Sequence, residues 1–100
     1  MGMDTEVKIA RMCDSIRDLL IEKNRSYGDS ALRPHNIFSR HGPEVLIRSR
    51  IDDKLNRIEN NKEGAFGEDV VLDLVGYLVL LLIIREDTHR ARIMEEETHA

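Results

Sequence analysis

The chain has 100 residues, of which 41% are hydrophobic and 34% charged, and a formal net charge of −4. That length makes one domain, and that balance describes a soluble globular chain rather than a disordered or membrane-embedded one. The single cysteine, Cys13, excludes an intrachain disulfide and a cysteine-rich zinc site, and the acidic total argues against a long nucleic acid as partner.

The N-terminus is charged from Asp4 onward and shows no secretory leader, so the cytoplasm is the expected compartment. Ile9, Cys13, Ile16 and Leu20 then recur at helical spacing and predict a first helix over about 5–24, capped by Asp4 or Thr5. Cys13 lies on the apolar stripe and reads as a core thiol. Tyr27-Gly28-Asp29-Ser30, Pro34 and Gly42-Pro43 punctuate a loop over 25–42. His35 and His41 in that loop have no metal-ligand spacing and read as ordinary loop residues. Pro43 suits the first turn of a second helix, about 43–60, lined by Ile47, Ile51, Leu55 and Ile58. Asn60-Asn61, Gly64 and Gly67 mark a short connection. A third helix is expected over about 68–92, roughly 35–40 Å long, followed by a frayed tail at 95–100. The chain is thus read as all-α, a single three-helix domain over 1–100.

Residues 70–84 are apolar nearly all round, which calls for burial on every side. The stretch is too short for a membrane span and contains Asp73. A small, aromatic-poor monomer cannot easily cover such a helix, so the bundle is expected to be completed by oligomerisation, as a dimer or higher.

Charge is distributed unevenly: −2 over residues 1–22, +4 over 23–57 and −6 over 58–100. A basic middle between acidic ends suits a small anionic ligand met partly by Lys and Arg and partly by a carboxylate-bound metal; solvated faces give the same pattern. Asp73 is the most informative residue, because a carboxylate buried in an apolar helix is costly unless paired or metal-bound. Asp69, Asp73 and Tyr77 share one stripe, with Glu68 adjacent. Asp53 on the second helix could join Asp69 and Asp73 around Mg²⁺, with Lys54 and Arg57 at the edge. Alternatively, Asp73 pairs with Lys54 or Arg57 and only fixes helix register, and Asp53 with Arg57 makes an exposed i,i+4 pair. In the segment Lys23-Asn24-Arg25-Ser26-Tyr27-Gly28, Lys23 and Arg25 could meet phosphate, Asn24 could read a base or sugar and Tyr27 could stack. The same segment also reads as a helix stop followed by a turn.

Lys23 to Ser30, then Asn36-Ile37-Phe38, then Ile47 to Ile58, then Glu68-Asp69 through Asp73 to Gly76-Tyr77 resemble the nucleotide modification associated domain family, small MazG-like proteins common in bacteriophages. The resemblance covers about residues 15–85. It implies an all-α fold similar to MazG nucleoside triphosphate pyrophosphohydrolases, which hold Mg²⁺ with acidic residues of two neighbouring helices and cleave an NTP to NMP and pyrophosphate. Carried over, Asp53, Asp69 and Asp73 are the catalytic, metal-holding carboxylates for Mg²⁺ or Mn²⁺. Lys54 and Arg57 are the phosphate contacts it implies, and Lys23, Asn24, Arg25, Tyr27 and Tyr77 complete the expected nucleotide contacts. The chain departs from the family pattern: its second helix has no E-x-x-E, and Asp69 and Asp73 are four apart rather than three. Two further readings therefore stand beside hydrolysis. One is a module that binds a nucleotide or cyclic nucleotide without turnover; the other is a structural protein in which Asp73 is a buried ion pair.

Overall fold

A computed structural model describes residues 4–36, 40–62 and 67–99. Ile37, Phe38, Gly64 and Ala100, which enter the sequence reading, lie outside them. The described residues are all-helical, without strands: α1 is Thr5–Ser26, α2 is Pro43–Glu59 and α3 is Val70–His99.

Each helix begins and ends for a local reason. Asp4 caps α1, its carboxylate accepting from the Val7 amide at 3.1 Å. α1 runs two residues past the expected end, because nothing before Gly28 breaks it. Gly28 then takes φ +62°, and the Asp29 amide returns to the Asn24 carbonyl at 3.1 Å, which is a Schellman stop. Gly42 is the N-cap residue of α2, with Pro43 as the first residue of that helix. α2 closes with the same motif, Asn61 replacing glycine at φ +55° while the Lys62 amide bonds the Arg57 carbonyl at 2.8 Å. α3 starts at Val70 rather than at residue 68, and it continues through residues 95–99, expected to fray. No Gly or Pro follows Gly76, and Glu95–Glu97 are good helix formers, so no residue stops it. At about 1.5 Å per residue the 30-residue α3 is about 45 Å long.

α3 is the central element. Lys54 and Arg57 near the end of α2 meet Asp73 and Glu68 at the start of α3, while Glu44 at the start of α2 lies beside Arg85, Thr88, His89 and Arg92. α2 therefore runs antiparallel to α3. α1 does the same: Lys23 meets Asp73, and a Cβ on Gly76 would stand 2.9 Å from Leu20 Cδ2. Two helices antiparallel to a third are parallel to each other, so α1 ends and α2 begins at opposite ends of the bundle.

The chain leaves much apolar surface uncovered. Among the described residues the buried apolar side chains are Ile47, Val70 and Ile84, and α1 contains no buried residue. Cys13, expected in a core, is exposed. In the helix read as apolar all round, Val71, Leu78, Leu82 and Ile83 remain exposed. The accessible surface is 8413 Å², whereas a compact monomer of 11.5 kDa exposes about 5,800 Å². The radius of gyration is 16.9 Å, against about 13 Å for a compact chain of this length. No helix among the described residues is long and apolar enough to cross a membrane.

Candidate functional site

The charged residues singled out in the sequence converge where the end of α1, the end of α2 and the start of α3 meet. Lys23 Nζ lies 3.5 Å from Asp73 Oδ1. Lys54 Nζ lies 3.5 Å from Asp73 Oδ2 and 3.3 Å from Glu68 Oε2. Arg57 donates to that same Glu68 oxygen and reaches Asp53 Oδ2 at 3.9 Å. The six side chains form one alternating chain, Lys23–Asp73–Lys54–Glu68–Arg57–Asp53, with three positive and three negative charges.

Burial orders this chain. Lys54 is 6% exposed. A lysine can be held there because two carboxylates compensate an ammonium that would otherwise lose several kcal/mol of hydration. Asp73 is 22% exposed on its side chain, and both its oxygens face ammonium groups. Lys23 and Asp53 form the wetter ends, 44% and 52% exposed on their side chains. The ion pair of Asp73 with Lys54, one of the two readings its sequence position allowed, is thus present, and Lys23 extends it to the third helix.

Two carboxylates behave differently from the sequence reading. Asp69 does not join Asp53 and Asp73. It sits one residue before α3, and its Oδ1 accepts from the Leu72 amide at 3.0 Å, the geometry of an N-cap. Glu68 takes the place in the network that Asp69 was expected to fill. The sequence had placed Glu68 inside the first turn of the helix, beside the stripe. Because the helix starts two residues later, Glu68 precedes it and turns back toward α2.

The expected nucleotide contacts are divided between the network and its surroundings. Lys23, Lys54 and Arg57 belong to the network. Lys23, Asn24 and Arg25 are in the last turns of α1, so Arg25, expected in the loop, is helical. Asn24 and Arg25 border a groove between α1 and α3, and Arg25 has no ion pair among the described residues. Tyr27 is the C-cap residue of α1, and it is left 69% exposed. Tyr77 lies one turn beyond Asp73, half-buried, and makes no hydrogen bond among the described residues.

Mg²⁺ takes oxygens at about 2.0–2.1 Å in near-octahedral geometry. Asp53, Asp69 and Asp73 do not fit that requirement as arranged. Asp69 is committed to a backbone amide, Asp73 has an ammonium against each oxygen, and Arg57 borders Asp53. Among the described residues no group of three or more His, Cys, Asp and Glu side chains is gathered to hold a metal ion. What the arrangement offers is hydrogen-bond donors. Lys23 uses one of its three ammonium protons, on Asp73, and Arg25 uses none on another described residue. No family model, curated protein or solved structure matches the chain.

Proposed function

We propose that this chain binds a nucleotide through its phosphates, without a metal and without hydrolysing it. The observation that carries this reading is the set of donors at the end of α1. Lys23 keeps unused ammonium N–H groups at the wetter end of the Lys54 network, Arg25 two residues on pairs with no described residue, and Tyr27, the C-cap of the same helix, is exposed. Charge-assisted hydrogen bonds from ammonium and guanidinium groups are the strong contacts for phosphate. Tyr27 supplies a face on which a base can stack, and Asn24 a donor and acceptor for its edge or for the sugar. Lys54 and Arg57, balanced by Asp73, Glu68 and Asp53, brace the network behind them. The resemblance in sequence supports the same ligand class. The proposal takes the chain as a cytoplasmic homo-oligomer acting in nucleotide metabolism, of a phage as the resemblance suggests, with no long nucleic acid and no membrane as partner.

Hydrolysis is the second reading, favoured by the meeting of α2 and α3 carboxylates in one network. It requires Asp53 and Asp73 to exchange their present cations for Mg²⁺ or Mn²⁺ and Asp69 to leave its cap, and the product would be NMP with pyrophosphate. One experiment separates the two readings: a mixture of NTPs, dNTPs and cyclic nucleotides is incubated with the protein, with Mg²⁺ or with EDTA, and analysed by mass spectrometry. A nucleotide retained intact in EDTA supports binding. Metal-dependent appearance of NMP and pyrophosphate overturns it in favour of hydrolysis. No retention and no turnover leaves the network a purely structural device. A true ligand at a hundred times its Kd also stabilises the fold by about 2.7 kcal/mol.

A further inference from the structure

We propose that the cleft between the start of α2 and the middle of α3 is a separate anion site, built for a phosphoryl dianion, either free phosphate or the terminal group of a small phosphate ester. The cleft encloses about 210 Å³ and is lined by Glu44 of α2 and by Arg85, Thr88, His89 and Arg92 of α3. At about 30 Å³ per water this is the volume of about seven waters, room for a tetrahedral oxyanion. Glu44 and Lys54 are ten residues apart on α2, about 15 Å, so the cleft is no part of the Lys54 network.

The cleft holds cations that the chain does not neutralise. Residues 58–100 carry a formal charge of −6, yet Arg85, His89 and Arg92 pair with no described residue. They recur at i, i+4 and i+7 and so share one face of α3. The acids near them are engaged or turned away. Glu44 meets Arg48 at 3.5 Å, and Glu86, next to Arg85, meets Arg90 at 2.6 Å. Residues three and four apart on a helix are neighbours, so Glu95 and Glu96 are acids that Arg92 could take. It pairs with neither and lines the cleft instead.

Charge and donor count select the ligand. With Glu44 balanced by Arg48, the two guanidiniums leave the cleft two positive charges, which a phosphate monoester near neutral pH matches. Each guanidinium offers a planar fork of N–H groups suited to two phosphate oxygens, and His89 adds a ring N–H. Thr88 is a wall and not a donor, because its hydroxyl donates to the Ile84 carbonyl at 2.8 Å. No side chain caps the start of α2, so the positive end of that helix adds to the field of the arginines. Glu44 is the one opposing carboxylate, and it gives the test a variant of opposite sign.

This inference does not rest on nucleotide binding at the end of α1, and its signal comes from the cleft itself, so the two fail separately. Proton NMR of the His89 ring, assigned with His89→Gln, is followed in the full chain at fixed pH and ionic strength while inorganic phosphate replaces chloride. The resonance should shift saturably, with its half-point at or below about 1 mM. Phenyl phosphate in a second arm separates the two sources: a half-point below that of inorganic phosphate assigns the site to an ester, and an equal or higher one to the free anion. Arg85→Gln and Arg92→Gln should each raise the half-point about tenfold. Glu44→Gln should lower it about threefold. Lys62→Gln, an exposed cation beyond the far end of α2, should leave it within about twofold. A His89 shift that does not saturate by about 20 mM phosphate overturns the proposal. So do equal effects of Lys62→Gln and Arg92→Gln, since the signal would then report net charge and not a site.

Discussion

The pairing of Lys54 with Asp73 can be measured directly by a double-mutant cycle of Lys54→Met and Asp73→Asn. At 3.5 Å and an effective dielectric constant of about 20, two unit charges attract by about 5 kcal/mol before desolvation is subtracted. Two features reduce the net value. Asp73 keeps Lys23 at 3.5 Å when Lys54 is lost, and Lys54 keeps Glu68 at 3.3 Å when Asp73 is neutralised. Neither variant therefore leaves a wholly uncompensated buried charge, the case that costs about 3–5 kcal/mol. The expected cost is about 2 kcal/mol for each single variant. The coupling energy, about 1–2 kcal/mol, falls in the range for residues in direct contact. Each single variant should lower Tm by about 8–16 °C. The assay is urea unfolding followed by circular dichroism at one fixed protein concentration, so that any dependence on concentration is the same for every variant. Additivity within about 0.5 kcal/mol would refute the reasoning. It would mean that the ammonium and the carboxylate do not interact in solution and that Lys54 is held by packing of its stem.

Three other substitutions test separate features. Asp69→Ala should cost about 1 kcal/mol of stability by urea unfolding, and Asp69→Asn should restore most of it, because asparagine caps a helix as well as aspartate does; a loss equal in both variants would show that charge, not capping, is what Asp69 supplies. Gly76→Ala should change stability by less than about 1 kcal/mol, since the Cβ would meet only the flexible end of Leu20 and the helix gains propensity. Gly76→Leu should lower it by about 1–3 kcal/mol through overpacking, measured by the same unfolding. Lys23→Gln and Arg25→Gln should each weaken nucleotide binding by about tenfold, the value of one charge-assisted hydrogen bond, in calorimetric titration; Arg25→Gln should leave Tm unchanged because Arg25 pairs with no described residue.

The helices were legible because their signals are local. Stripes at i, i+3 and i+4, Pro43 at the first turn of α2 and Gly28 after α1 each act within a few residues. Asp73 was legible as the residue that breaks an apolar run. Its partners were less so: an ion pair between residues fifty positions apart, such as Lys23 with Asp73, depends on how two helices cross, and spacing along one helix says nothing of that. Glu68 and Asp69 show the sharpest form of the limit. The two acids are adjacent, and a two-residue shift in where α3 begins decides which one caps the helix and which one turns toward Arg57. Helix boundaries are where sequence reasoning is weakest, so the assignment of these two carboxylates fell on the least determined feature.

The groove and the charge network are set by one crossing. Leu20 and Lys23 are three residues apart on α1, and they meet Gly76 and Asp73, three apart on α3. An antiparallel pair with matched i,i+3 contacts has its register fixed on one face. The ion pair of Lys23 and the close approach at Gly76 therefore hold the same helix in the same place. Any side chain larger than glycine at position 76 pushes on Leu20, which lines the groove, and with it on Lys23, which ends the network. A bulky residue there should displace α1 and weaken the Lys23–Asp73 pair together. A substitution at Glu68, which touches Lys54 and Arg57 but no residue of α1, should reduce stability without displacing α1. The contrast separates the role of α1 as a wall of the groove from the role of the ion pairs in holding α2 to α3.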